Sequence, residues 1–250
     1  MLRILTYNEI DLTQWRTLVE QSSTATWFQT PEAYQFYSSV PEEMTPFAIG
    51  VTDNKLTGVI VGYITNANTP IKQFLTRRTI IIGGPLLADD ISDEALTALL
   101  MAIRQLGDKA KGKKNSKAVT TASTPYTLHS TPIYIETRNF HDYSQWKSVF
   151  EKCGFAYQPH LNIQVACNAQ HQMSEQRIRQ VRKALKNGVE ICQAQSEGEI
   201  KAWYRILQQL YRKKVRTPLW SEEFFLQFYR NGVGNYLLVK HEGKIIGGMM

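Results

Sequence analysis

Glu136 and Arg138 stand two residues apart in the run Ile135-Glu136-Thr137-Arg138-Asn139. In an extended chain alternate side chains share a face, so a carboxylate and a guanidinium project together. A carboxylate so placed could orient or take a proton from a substrate group, and the guanidinium could hold an anion. Glu136 and Arg138 are therefore the candidate catalytic residues. The alternative is a structural ion pair, or a sheet face covered by the stretch 107–132. A second set of cations, Arg179, Arg182, Lys183 and Lys186, lies in the run from Ser174 to Ile191. At about 100° per residue they form a stripe beside Ile178, Val181 and Leu185. Cations at the rim of a buried seam could hold a phosphate-bearing partner, and Arg179, Arg182 and Lys183 are the candidates. A solvated charged face is the alternative. Gln29, at a helix entrance, could hydrogen-bond a substrate amide or cap the backbone. Trp27, Tyr34 and Tyr126 could form an apolar wall or belong to the core.

Other chemistries find no support. No Ser-His-Asp or Cys-His arrangement is visible, and Cys153 before Gly154 reads as packed. Cys153, Cys167 and Cys192 are odd in number and widely spaced, which fits a reducing compartment and gives no disulfide or metal pattern. The five histidines are scattered singly. Neither a metal nor a bound cofactor is expected. Hydrophobic residues at 43% and charged residues at 20% are typical of a globular protein, and no apolar run approaches a membrane span. The N-terminus lacks the apolar core of a signal peptide, so a cytoplasmic location is expected. Lysine and arginine number 29 against 22 acids, a net charge of +7, which suits an anionic partner without naming it.

The elements that must position these residues follow from periodicity. A helix is expected over 9–21, with Trp15, Leu18 and Val19 inward. Thr30 and Pro31 open a second helix carrying Tyr34 and Tyr37, which Pro41 stops. Residues from Phe47 to Ile64 read as a hairpin turning at Asp53-Asn54-Lys55. Thr79 to Leu87 reads as one buried apolar strand. A helix from about Asp93 to Ala110 follows, capped by Ser92 or Asp93. The stretch 107–132 reads as a long insertion. A strand over 133–139, a helix from Tyr143 to Lys152 and a strand region over 155–165 come next. Ser174 caps the basic helix, which Gly188 closes. Beyond it lie a strand at 189–194 and a long helix from Glu197 to Arg216, with Trp203, Ile206, Leu207 and Leu210 inward. Ser221 then caps another helix, and a second hairpin is last.

Two stretches share a spacing. Phe47, Lys55 and Gly58 match Tyr236, Lys244 and Gly247, and Thr30-Pro31 before the Tyr34 helix matches Thr217-Pro218 before the Phe224 helix. One α/β unit written twice is expected, with domains at 1–170 and 171–250. The first copy continues well past its hairpin and the second does not. The second domain is thus expected to be incomplete, through truncation, a disrupted frame or a partner that completes its sheet.

This order of elements resembles the acyl-CoA N-acyltransferase (GNAT) fold. Two tandem copies joined by R-x-R-x-x-R-K-A-x-x-x-G-V-E-I resemble its FemAB-like branch. Phe28-Gln29-Thr30-Pro31, Ile135 through Asn139 and Arg177 through Ile191 carry the likeness. The fold class implied is α/β, with mixed central sheets flanked by helices. The resemblance implies aminoacyl transfer in cell-wall precursor assembly. Its donor would be aminoacyl-tRNA, and its acceptor an amine on a peptide stem, with peripheral contact where that precursor is membrane-linked. Two departures bear on this. Where such proteins often carry a lysine eight or nine residues after the glutamine, this chain has Tyr37-Ser38-Ser39. No R/Q-x-x-G-x-G/A loop follows the strand at Ile80, which counts against an acyl-CoA-dependent enzyme. A non-catalytic module binding muropeptide precursor or RNA is the other reading.

Overall fold

A computed structural model of the chain describes residues 1–66, 76–108, 132–160 and 173–250. The chain divides into two compact units, Met1–Leu161 and Asn162–Met250. The expected join at 170/171 falls in 161–172, outside the described residues, as do most of the 107–132 insertion, Tyr126 and Cys167.

The first unit is a sheet of six strands in the order β1-β2-β3-β4-β6, with β5 paired to β3. The strands are β1 (Arg3–Thr6), β2 (Met44–Asp53), β3 (Lys55–Thr65), β4 (Arg78–Gly83), β5 (Leu86–Leu87) and β6 (Tyr134–Asn139). All pairings are antiparallel except β4 with β6, which run parallel in register from Arg78↔Tyr134 to Gly83↔Asn139. Strand β1 escapes sequence reading because only Leu5 of its four residues is buried.

Helices α1 (Leu12–Gln21) and α2 (Pro31–Ser38) lie between β1 and β2. Asp11 caps α1, accepting from the Gln14 amide at 2.8 Å, and Trp15 and Leu18 are buried while Val19 is half-buried. Thr30 caps α2 with Pro31 at its first position. Helix α3 (Asp93–Asp108) starts at Ser92, whose hydroxyl accepts from the Ala95 amide at 3.2 Å. Its Leu96, Leu99, Leu100 and Ile103 recur at helical spacing and are all buried. They pack on Phe47, Ile49, Val51 and Ile60 from the opposing sheet face. Each such leucine contributes about 2 kcal/mol by leaving water. Trp146 and helix α4 (Lys147–Lys152) close the same side, and Cys153 is packed there as expected. Residues 155–160 of the expected strand region are irregular.

The run Thr79–Leu87 is broken and is not one strand. Strand β4 pairs with β3 only at Tyr63↔Ile80 and Ile64↔Thr79; β5 rejoins β3 at Gly58↔Leu87 and Val59↔Leu86. Between them Gly83 (φ 86°) and Gly84 (φ 84°) adopt left-handed backbone, which glycine alone takes readily. The chain arches away from β3 there, and its carbonyls need other partners. Gln29 and Tyr143 supply them. The Gln29 amide donates to Gly83 O at 3.2 Å and to Gly84 O at 2.9 Å, and Tyr143 Oη donates to Pro85 O at 2.6 Å.

The second unit holds the sheet β7-β8-β9, antiparallel throughout. Its elements are α5 (Glu175–Lys186), β7 (Val189–Gln193), α6 (Glu197–Leu210), α7 (Glu222–Arg230), β8 (Leu237–His241) and β9 (Lys244–Met249). Helix α6 ends in a π turn over Tyr211–Val215, and does not run as α-helix to Arg216. Ile200, Trp203 and Tyr204 are buried, but Ile206 and Leu207 are only half-buried and Leu210 is 45% exposed. Ser221 caps α7, accepting from the Phe224 amide at 3.2 Å, and Gly232 (φ 60°) follows its end.

The two units repeat one topology. In each, a strand, two helices and an antiparallel hairpin follow in order, and the first strand pairs with the second. Each hairpin carries a bulge beside its glycine. Val51 opposes Gly58 and Val239 opposes Gly247, with Thr57 and Ile246 the respective extra residues. The turns differ: Asn54 alone separates Asp53 from Lys55, whereas Glu242 and Gly243 separate His241 from Lys244. Counted from the bulges, Tyr236 therefore corresponds to Ala48, not to Phe47. Phe47 faces α3, while Tyr236 packs on Trp203 at 5.3 Å and donates to Phe225 O at 2.8 Å.

Candidate active site

Strand alternation places Tyr134, Glu136 and Arg138 on the sheet face opposite α3, where among the described residues no helix packs extensively on β6. Ile135, on the other face, packs against the core. The parallel register sets Arg78 beside Tyr134, Ile80 beside Glu136 and Ile82 beside Arg138. Ile80 is buried and Ile82 half-buried, so an apolar floor carries a charged upper layer. Arg78 Nη1 donates to Tyr134 Oη at 3.2 Å, and Arg138 Nε donates to Glu136 Oε1 at 2.6 Å. The hydrogen bond from Arg78 to Tyr134 and the nearby Glu136 hold the Arg78 guanidinium above its ordinary pKa. It stays charged.

Two tyrosines lie under this shelf. Tyr63 of β3, opposite Ile80, is 4% exposed, and burial pushes its phenol up to about 12. Arg138 and Arg78 act against that rise and Glu136 with it, so Tyr63 lies within the field of all three charges. Tyr37 of α2 packs on Tyr63 with ring centroids 4.9 Å apart. Its phenol is raised further by burial, and its hydroxyl has no hydrogen-bond partner among the described residues. At the carboxyl end of β6, Phe140 meets Phe28 edge-to-face at 5.7 Å. Ligands of open α/β sheets bind outside the carboxyl ends of parallel strands, and β4 with β6 is the parallel pair here.

The sequence-derived candidates divide as follows. Glu136 and Arg138 do share a face, and they form an ion pair with side chains 30% and 51% exposed. Gln29 is fully buried. Its Oε1 accepts from the Thr26 amide at 2.6 Å and its Nε2 holds the two glycine carbonyls, so it ties the backbone and presents nothing to a ligand. Trp27 packs on Phe28 and Phe36, at 5.4 Å and 6.2 Å. Tyr34 stacks on Tyr7 at 3.7 Å. Arg78, Tyr134, Tyr63 and the Phe28–Phe140 pair were not anticipated. Arg78 shares strand parity with Ile80, but its alignment with Tyr134 depends on a register that no local pattern carries.

In the second unit the basic helix forms as expected. Ser174 caps it, and Gly188 (φ 77°) follows its end. Its apolar stripe is not buried: Ile178 is half-buried, and Val181 and Leu185 are 40% and 55% exposed. Arg179 donates to Glu175 at 3.1 Å one turn back, while Arg182 and Lys183 are exposed. Arg179, Arg182 and Lys183 thus lie on a solvated face, with no buried seam beside it among the described residues. Among the described residues, no three His, Cys, Asp or Glu side chains are placed to share a metal ion, and no helix is long and apolar enough to cross a membrane.

No protein-family model and no curated protein matches the sequence. Among solved structures the chain is similar to FemX, with a TM-score of 0.56 and 13% identity over 96% of this chain. The match covers 58% of the FemX chain, so this chain spans little more than half of that protein. A probable acetyltransferase also matches, with a TM-score of 0.39, 13% identity, 68% of this chain and 99% of that one. So does ribosomal-protein-alanine N-acetyltransferase from Brucella melitensis biovar Abortus 2308, at 0.37, 12%, 66% and 98%. The fold is similar to that of FemX, and in this chain it consists of two α/β units in succession.

Proposed function

We propose that the protein transfers an acyl or aminoacyl group to an amine, and that the shelf of the first unit holds the acceptor. The observation that carries this reading is the set Arg78, Glu136 and Arg138, half-buried to exposed on one face of the parallel strand pair. In such a reaction the amine nitrogen attacks the carbonyl carbon of an activated ester. A C–N bond forms, the ester C–O bond breaks, and the amine loses a proton that the leaving oxygen gains. Glu136 is suited to take that proton, because Arg138 binds it through one carboxylate oxygen and its side chain is 30% exposed. Arg138 and Arg78 are suited to hold the anionic part of the acceptor or the developing oxyanion. The apolar floor of Ile80 and Ile82 strengthens such contacts by excluding water on one side.

The finer assignment rests on the FemAB-like resemblance: an aminoacyl-tRNA donor, a cell-wall peptide precursor as acceptor, and a cytoplasmic setting. In this chain Tyr37 occupies the first of the two positions where a phosphate-holding lysine is common, and it is buried. The cationic role would then pass to Arg78 and Arg138. The Glu136–Arg138 ion pair favours a second reading, a module that binds the precursor without turning it over.

Turnover decides between them. Purified protein is given charged tRNA and a muropeptide precursor, and the aminoacylated product is measured by mass. The expected result is product formation that falls at least about 100-fold in Glu136→Gln and in Arg138→Ala, within the range of lost acid–base catalysis. Precursor binding without product supports the binding module. Turnover untouched by either substitution removes the shelf from the mechanism.

A further inference from the structure

Counted from their bulges, the two sheets match residue for residue. Ile4, Val51 and Gly58 lie in one row across β1, β2 and β3, as Ile191, Val239 and Gly247 do across β7, β8 and β9. One row further, Ile49 opposes Ile60 as Leu237 opposes Met249. Strand parity puts these residues on one face of each sheet. In the first unit α3 covers that face, and Ile49, Val51 and Ile60 are at most 5% exposed. In the second unit the corresponding residues are apolar without such cover among the described residues. Leu237 is 43% exposed, Met249 63% and Ile191 67%, while Val239 is half-buried. The packed face of this sheet is the other one, where Leu238 is fully buried and Gly248 lies against the Trp203 ring of α6. A sheet face left to water carries polar residues, and the centre of this one does not.

The shared glycine indicates what fits there. Gly58 lies beneath α3: a Cβ on it would stand 3.0 Å from Leu99 Cδ2 and 3.2 Å from Ile91 Cδ1. Its missing side chain lets a leucine of the helix reach the sheet. Gly247 holds the same place in its row, and a Cβ on it would meet only Val239, at 4.0 Å, among the described residues. The second sheet thus repeats the seat for a leucine side chain. The rim repeats too. Lys55, three residues before Gly58, pairs at 3.3 Å with Asp90, just ahead of α3, and Lys244 stands three residues before Gly247 and is exposed.

We propose that this face of the second sheet docks an amphipathic α-helix built like α3, with apolar side chains at i, i+3, i+4 and i+7 and a carboxylate at its leading end beside Lys244. The template for that occupant is Leu96, Leu99, Leu100 and Ile103, with Asp90 ahead of them. One leucine of the helix sits over Gly247, and its neighbours cover Leu237, Met249 and Ile191. The surface belongs to the second unit and is independent of the shelf.

The probe is a fluorescent peptide with the sequence of residues 89–106, titrated into the full chain and read by anisotropy. Saturable binding is expected, weakened at least about 10-fold in Ile191→Thr and in Leu237→Thr, which remove apolar area that the helix would bury. Both side chains are exposed and threonine suits a strand, so the melting temperature should hold. Gly247→Val separates a shaped seat from general adhesion. It adds apolar area and a strand-forming residue, so stability should not fall and unspecific sticking should rise. Docking should instead weaken at least about 10-fold, because the new side chain fills the leucine's place. A peptide carrying Leu99→Asp and Leu100→Asp should not bind. Absence of saturable binding, or binding that Gly247→Val leaves unchanged or strengthens, overturns the proposal. So does a dimer of the chain alone, seen by sedimentation and lost in Leu237→Thr, which would give this face to a second copy.

Discussion

Replacing Gln29 by alanine should destabilise the first unit severely while leaving no exposed surface changed. The side chain is 0% exposed and holds three backbone groups: Thr26 N–H, Gly83 O and Gly84 O. Gly83 O is left 3.3 Å from Tyr143 Oη, whose one proton goes to Pro85 O at 2.6 Å, so it keeps at most a weak, shared contact. Thr26 N–H and Gly84 O lose theirs. Each buried orphan costs about 1–3 kcal/mol, and the lost packing adds roughly 1 kcal/mol, so about 3–7 kcal/mol is expected. With a urea slope of about 2 kcal/mol/M, the midpoint falls by roughly 1.5–3.5 M. The indole N–H of Trp15, bonded to Gln29 O at 2.9 Å, gives a magnetic-resonance signal that reports this unit alone. Gln29→Glu separates the two halves of the role. It keeps the acceptor for Thr26 and sets a carboxylate against two carbonyls, so it too should destabilise. A loss under about 1 kcal/mol, accompanied by weakened acceptor binding, would show that Gln29 serves a ligand and refute the argument from the glycine arch.

Two further outcomes follow from buried or paired groups. Tyr37→Phe removes a hydroxyl with no partner among the described residues, so the first unit should be unchanged or stabilised by up to about 1 kcal/mol, read by thermal unfolding; a loss above that would reveal a partner. Glu199 is held below its ordinary 4.5 by the Gln195 amide and then by Lys240. A lowered folded pKa means the contribution is present above 4.5 and fades as pH drops through the folded value. Glu199→Gln should therefore flatten the acid limb of the second unit's stability, measured as urea midpoint between pH 5 and about 3; an unchanged limb would exclude Glu199 as its source.

What the sequence reveals here is what is local. The caps at Thr30, Ser92, Ser174 and Ser221 were readable because a hydroxyl and the amide two or three residues on lie in one stretch of chain. The shared face of Glu136 and Arg138 was readable because strand parity is fixed by the backbone. The break at Gly83-Gly84 was not, since an apolar run with glycines is equally compatible with a continuous strand. Its tie, Gln29, lies 54 residues from Gly83. Arg78 and Tyr134, 56 residues apart, meet only through a parallel register. The basic helix shows the opposite error. Its apolar stripe has helical spacing, but spacing does not ensure that anything covers it.

The one-residue difference between the two hairpin turns has a consequence for how any role may be carried from one half of the chain to the other. Parity inverts across the turn. Positions matched on the β3 and β9 side fall out of phase by one on the β2 and β8 side, so counting straight through assigns a core residue to the wrong layer. Grafting Glu242-Gly243 in place of Asn54 would lengthen the loop by one residue and leave Val51 opposite Gly58, so Phe47, Ile49 and Val51 would stay against α3. Cross-strand pairing, and not the count along the chain, decides which face of each strand is interior.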